Sequence, residues 1–221
     1  MSFMALAPIL AVVAGALVAL LLEAFLIRKD HELSATAAVV SLFAAGFFIV
    51  RSWGLELGYF GGRLSLDPLS LLLMAVFVLI ATFVILMSLV HAPRRGINLG
   101  QLCGLLLFAV AGLMIMVSTT DWLVVFLGLE VLSVASYALA GLRRNDRASS
   151  EAAAKYFLMG SFAGAFFVFG LALLFGTSGR LDFAASPAGS AASSGLPLAY
   201  ALGLASSLRP FSSRSPSPPS T

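Results

Sequence analysis

Charge is scarce in this sequence: only 10% of its 221 residues are Asp, Glu, Lys or Arg, while 60% are apolar. Soluble domains carry about 25% charged residues, so the shortage excludes an ordinary water-soluble globular protein. Lysine is scarcest, with only Lys29 and Lys155. Cysteine is down to Cys103, set inside an apolar run, which excludes a disulfide framework and a cysteine metal cluster. A small buried hydrophobe is the reading of that residue. His31 and His91 fall in polar stretches without metal-ligand spacing. The N-terminus lacks a basic leader and a small-residue cleavage site, so its apolar run reads as a retained helix rather than a signal peptide. The net charge of +3 does not point to nucleic acid. The basic residues sit in short loops between apolar runs, where they set topology.

What the sequence does contain is a succession of apolar runs, each long enough to cross the hydrocarbon core of about 30 Å. Helix 1 is expected over residues 4–27, with Pro8 in its first turns, where a missing N–H is tolerated. Glu23 lies about one turn from the polar loop 28–32 and reaches it by snorkelling, a structural role. Helix 2 covers 33–53, with Arg51 and Trp53 as interface anchors. The loop 54–65 is rich in Gly and aromatic residues. Helix 3 opens at Asp67-Pro68, a capping acid followed by Pro at the first helical position. It runs to about residue 90 and is almost purely aliphatic, facing lipid or packing passively. Residues 91–95 end it.

Helix 4, over 101–118, carries Gly104 and Gly112, small residues that let helices approach closely. The turn 119–121 is so short that helices 4 and 5 must form an antiparallel hairpin. Helix 5, over 122–142, holds one carboxylate, Glu130, roughly 12 Å from Trp122 at 1.5 Å per residue. That is near the middle of the membrane, where insertion scales put an ionised carboxylate at roughly 2.5–3.5 kcal/mol. So unfavourable a residue points to ion or proton movement. The plainer alternative is a protonated Glu, or one hydrogen-bonded inside a bundle. Glu130, Ser133, Tyr137 and Gly141 recur at helical spacing, so this polar or small face should point into protein. Helix 6 follows over 151–175, with Gly160, Gly164 and Gly170 along it.

Lys155 has two readings. One is an i,i+4 ion pair with Glu151 in the first turn of helix 6, worth roughly 0.3–0.5 kcal/mol. The other sets its ammonium at the cytoplasmic edge of a polar path to Glu130. Loops after helices 1, 3 and 5 hold Arg28, Lys29, Arg94, Arg95, Arg143, Arg144 and Arg147, whereas the opposite side holds Arg51, Arg63 and Arg180. The N-terminus is therefore expected on the non-cytoplasmic side of the membrane.

The run from Phe126 through Gly128, Glu130 and Ser133, followed by Glu151-Ala152-Ala153-Ala154-Lys155-Tyr156-Phe157-Leu158-Met159-Gly160, resembles subunit N of the proton-pumping NADH–quinone oxidoreductase, respiratory complex I. Its mitochondrial counterpart is the ND2 subunit. The glutamate alone is shared with sister subunits and with Mrp-type cation/proton antiporters. The lysine-tyrosine run and Gly170 to Gly179 resemble subunit N specifically, and the likeness covers about residues 5–204. It implies an all-α integral membrane protein with about six complete transmembrane helices and a partial seventh, like the first part of an antiporter-like subunit of about fourteen helices. The resemblance divides the chain into helices 1–4 over 1–118, helices 5–6 with the translocation motif over 119–179, and a loop with the stump of helix 7 over 180–204. A disordered tail over 205–221 completes it.

The resemblance further implies residence in the cell inner membrane beside the other membrane subunits of complex I. No cofactor is expected in this chain; NADH, FMN, iron–sulfur clusters and quinone belong to the rest of the complex. Glu130 matches the family's helix-5 glutamate, which modulates a proton-carrying lysine on helix 7, and Lys155 matches the lysine of the lysine-tyrosine segment. These two residues are the ones assigned to proton translocation. After Leu204 the chain departs from the family. Its Ser/Pro/Arg mixture cannot span a membrane. Codons can be chosen for the tail that, read two bases along, give a lysine-bearing apolar stretch and then Pro-Phe-His, as in the family's helix 7. The expectation is a frameshifted, prematurely ended copy that does not pump alone. Two rivals are an Mrp-type antiporter subunit and a non-transporting scaffold or degraded gene product.

Overall fold

The computed structural model describes residues 3–25, 31–54, 57–59, 64–143 and 145–183. The stump of helix 7, the tail, and the basic residues Arg28, Lys29, Arg63 and Arg144 lie outside the described residues. Among the described residues six helices follow in order: α1 (Phe3–Phe25), α2 (His31–Arg51), α3 (Pro68–Arg94), α4 (Leu99–Val117), α5 (Trp122–Ala140) and α6 (Arg147–Ser178). All six are long and apolar enough to cross a membrane. The chain is a multi-pass membrane protein whose spans alternate in direction. In hydrocarbon every backbone N–H and C=O must be satisfied within the segment, which a helix does and an open sheet does not.

Caps decide where the helices begin. Asp67, Asn98, Asp121 and Asp146 each turn a side-chain oxygen onto a first-turn backbone N–H of α3, α4, α5 and α6. Asp146 explains why α6 opens four residues earlier than its apolar run. At 32 residues α6 is about 48 Å long, longer than the about 30 Å core. Its first turns, with Arg147, Glu151 and Lys155, therefore have room to stand outside the hydrocarbon. α3 also runs further than expected, through Pro93 to Arg94; Pro93 forgoes one i→i−4 bond, but it falls in the last turn and the helix ends one residue later.

The stretch read as a plain loop contains a small antiparallel hairpin, β1 (Leu57–Tyr59) with β2 (Leu64–Leu66), in the register Leu57–Leu66, Gly58–Ser65 and Tyr59–Leu64. Three-residue strands are too short to leave a periodic signal. The pairing continues beyond the hairpin. Ser65 donates its N–H to Ser118 O at 2.9 Å, Trp122 to Leu181 O at 2.9 Å and Phe183 to Thr120 O at 2.8 Å. One end of the bundle is thereby closed by backbone bonds running from the hairpin through the α4–α5 turn to residues 181–183.

α4 is the central helix, in contact with α1, α2, α3 and α5. Its glycines set the distances. A Cβ on Gly104 would lie 2.5 Å from Leu20 Cγ, and one on Gly112 would lie 2.6 Å from Gly128 O and 2.7 Å from Leu132 N. α3 buries a single stripe, Leu71, Met74, Val78, Ala81 and Ile85, and exposes the rest of its aliphatic surface, as its composition suggests. At the opposite end, Glu23 is half-buried and accepts hydrogen bonds from Asn98 Nδ2 at 2.6 Å and Ser34 Oγ at 3.5 Å. It ties α1 to the starts of α2 and α4, the structural role expected of it, by direct bonds between helices.

Candidate functional site

The site is built where α5 crosses α6. The polar face of α5 does turn inward: Ser133 and Tyr137 are buried and Glu130 is half-buried. What receives it is a row of small residues on α6. A Cβ on Gly164 would lie 3.0 Å from Glu130 Oε1, and one on Gly160 would coincide with the Tyr137 hydroxyl. Toward the α6 N-terminus, a Cβ on Gly141 would lie 3.0 Å from Ala153 Cβ. Aromatic contacts brace both sides of the acid. Phe126 stacks on Phe167 at 5.6 Å, and Tyr137 meets Tyr156 edge-on at 4.7 Å.

Glu130 Oε1 is buried and has no hydrogen-bond partner among the described residues. Buried polar atoms without partners are rare and costly in folded proteins, and costlier still if charged. Counted along α5, Glu130 is eight residues from Trp122 and ten from Ala140, about 12 and 15 Å. It therefore sits near mid-membrane with one oxygen unanswered, able to accept a hydrogen bond or an ammonium, or to hold a proton.

Lys155 is elsewhere. It is exposed and pairs with Glu151 one turn back, the first of its two readings. From Gly164, which faces Glu130, Lys155 is nine residues away: about 13.5 Å along the axis and half a turn round it. The structure thus places Lys155 on the far face of α6 from Glu130, near the depth at which hydrocarbon ends.

Gly164 and Gly160, noted in the sequence only as small residues along helix 6, are the site residues that sequence reasoning did not assign. Their signal was present as an i,i+4 pair of glycines on α6, but which α5 side chains they face is a matter of crossing geometry. Among the described residues, no group of three or more His, Cys, Asp or Glu could hold a metal ion.

Comparison with known proteins gives this geometry a context. Residues 119–209 match the family described as NADH:quinone oxidoreductase/Mrp antiporter, transmembrane. NADH-quinone oxidoreductase subunit N of Chloroflexus aggregans is 42% identical over 175 residues, 79% of this chain and 36% of that protein. A chain of respiratory complex I from Thermus thermophilus, solved with aureothin bound, superposes with a TM-score of 0.71 at 26% identity, over 93% of this chain and 43% of that one. A chain of the membrane-bound sulfane sulfur reductase, an archaeal respiratory membrane complex, shares the fold with a TM-score of 0.77 at 20% identity, over 94% of this chain and 44% of that one. The chain spans about a third of the length of the curated relatives it matches.

Proposed function

We propose that this chain, whose six helices are those of an antiporter-like membrane subunit of the NADH-quinone oxidoreductase subunit N type, takes part in moving protons across the membrane inside a larger respiratory assembly. Its partners would be the neighbouring membrane subunits of such a complex, in the cell inner membrane. Electron transfer from NADH to quinone would occur in other subunits, and the work of this chain would be that of a translocase component. The arginine-rich end, with Arg94, Arg95, Arg143 and Arg147, would face the cytoplasm.

The observation that carries this reading is the buried, unpartnered Oε1 of Glu130 at mid-membrane. A cation brought within about 4–6 Å of a carboxylate is held in its charged form, and separating the two lowers the cation's proton affinity. A neutral lysine amine approaching Glu130 would take up a proton to become an ammonium and, on withdrawal, would release that proton. Lys155, on the opposite face of α6, is better suited to the protonic entrance at the surface than to direct pairing with Glu130. The description of the matched family also covers Mrp antiporters; the names of the curated relatives favour the oxidoreductase.

The test is proton uptake in membrane vesicles driven by NADH, with Glu130→Gln and Lys155→Ala introduced separately into a full-length subunit assembled in the complex. The substitution at Glu130 is expected to abolish or strongly reduce pumping while assembly and electron transfer persist, and that at Lys155 to reduce it less. Unchanged pumping with Glu130→Gln would sink the proposal.

A further inference from the structure

At the arginine-rich end of the bundle the α3–α4 turn and the α5–α6 turn border an open cavity of about 460 Å³. Its lining mixes polar and apolar groups: Arg95 and Asn98 from the α3–α4 turn with Gln101 from the first turn of α4, and Arg143, Asn145 and Asp146 from the α5–α6 turn beside Leu142. Gly96, with φ of +65°, lets the α3–α4 backbone reverse tightly after α3 and sets Arg95 on the rim. Asn98 and Asp146 are the N-caps of α4 and α6, so two positive helix ends border the same space.

The charge balance favours an anion. Arg95 is exposed and has no ion-pair partner among the described residues. Arg143 pairs with Asp146 at 3.1 Å in an i,i+3 bridge that solvent reaches, and such pairs contribute little. The Asp146 carboxylate is meanwhile engaged on Ala148 N at 3.0 Å as the α6 cap. Glu23 stands behind Asn98, bonded to its Nδ2, and does not line the cavity. Arg94 and Arg147 add positive charge nearby and are exposed.

Depth identifies the kind of anion. Both turns end membrane-spanning helices, so the cavity lies at headgroup level, where basic pockets between helices take up anionic headgroups. A guanidinium fork matches two phosphate oxygens at once. We propose that this cavity seats the phosphate of an anionic phospholipid of the adjoining leaflet, held by Arg95 and Arg143. The assignment is independent of proton translocation.

Native mass spectrometry of the full 221-residue chain, released from nanodiscs of mixed phosphatidylglycerol and phosphatidylcholine, tests it. The wild type and the pair Arg51→Gln/Arg180→Gln, which removes the same charge from the opposite end, are expected to retain phosphatidylglycerol in preference to phosphatidylcholine. Arg95→Gln/Arg143→Gln should retain it about tenfold less. Arg95→Gln alone, which breaks no internal ion pair, should lie between and keeps the test valid if the double variant folds poorly. Equal loss in both double variants, or no preference in the wild type, would overturn the proposal. So would displacement of the lipid by millimolar inorganic phosphate, which would mark a site for a free anion.

Discussion

Single side chains on α5 and α6 differ widely in what their replacement should cost. A methyl at Gly160 would occupy the space of the Tyr137 hydroxyl and lie close to its ring, and a buried ring braced by Tyr156 cannot yield freely. Overpacking costs about 1–3 kcal/mol, more than the 0.5–1 kcal/mol or so that Gly→Ala returns in helix propensity. Gly160→Ala is therefore expected to lower the thermal midpoint in detergent, and Tyr137→Leu in the same chain should recover part of the loss. A double-mutant cycle measures that coupling; strict additivity would refute the contact. At Gly164 the approaching atom is the end of a flexible carboxylate at 3.0 Å, so Gly164→Ala should cost less. Lys155 offers the opposite extreme. Its pair with Glu151 is exposed to solvent, where ion pairs contribute little, so Lys155→Ala should leave stability nearly unchanged, and any large effect on pumping would then be functional.

At the scale of elements, glycine positions distinguish helix faces that touch another helix from faces that do not. A Cβ on Gly112 of α4 would lie 2.6 and 2.7 Å from backbone atoms of α5, and backbone cannot step aside. Gly46 of α2 has nothing within 4 Å of its would-be Cβ. Gly112→Ala is expected to destabilise by about 1–3 kcal/mol and Gly46→Ala to be neutral or stabilising by up to about 1 kcal/mol, as read from detergent unfolding curves. Equal effects would argue against the α4–α5 approach. The cap of α3 supplies a pH signature. Asp67, just outside the membrane-spanning segment, is held below its ordinary pKa of 3.8, first by the Ser70 hydroxyl and further by backbone N–H groups. A carboxyl whose folded pKa is depressed contributes stability above its unfolded pKa and loses it as pH falls through the folded value. Stability should therefore fall below about pH 4. Asp67→Asn keeps a capping oxygen and should remove that part of the acid response. An unchanged acid limb would discount the cap.

For the whole molecule, the alternating helices put two turns at one end and the hairpin with residues 181–183 at the other. Cysteines introduced at Arg95 or Asn145 should react with a membrane-impermeant maleimide only from the cytoplasmic side. Those at Trp53 or Arg180 should react only from the outside. Cys103 is fully buried and stays silent. Labelling of both sets from one side would overturn the arrangement of six spans, and a reversed pattern would overturn the orientation alone. Much of one side of α6, including Leu158, Met159, Phe162, Phe166 and Phe169, is exposed apolar surface, which lipid or a neighbouring helix must cover.

Class, spans and the inward polar face of α5 were legible because they depend on local chain properties. A run of about 20 apolar residues crosses the membrane wherever it lies in the chain. A face bearing Glu130, Ser133 and Tyr137 cannot stay in hydrocarbon whatever its neighbours are. The small residues of α4 were legible as packing sites for the same reason. The partners were not. Lipid is as apolar as a leucine surface, so hydrophobicity does not choose which helix lies against which. Only the tertiary structure set Gly164 before Glu130 and Gly160 before Tyr137. It also turned Lys155 onto the far face of α6, tied Glu23 to Asn98, and joined the hairpin to residues 181–183. Each of these pairs elements through a crossing angle and a register, quantities decided by side-chain and backbone packing between segments and absent from the periodicity of either segment alone.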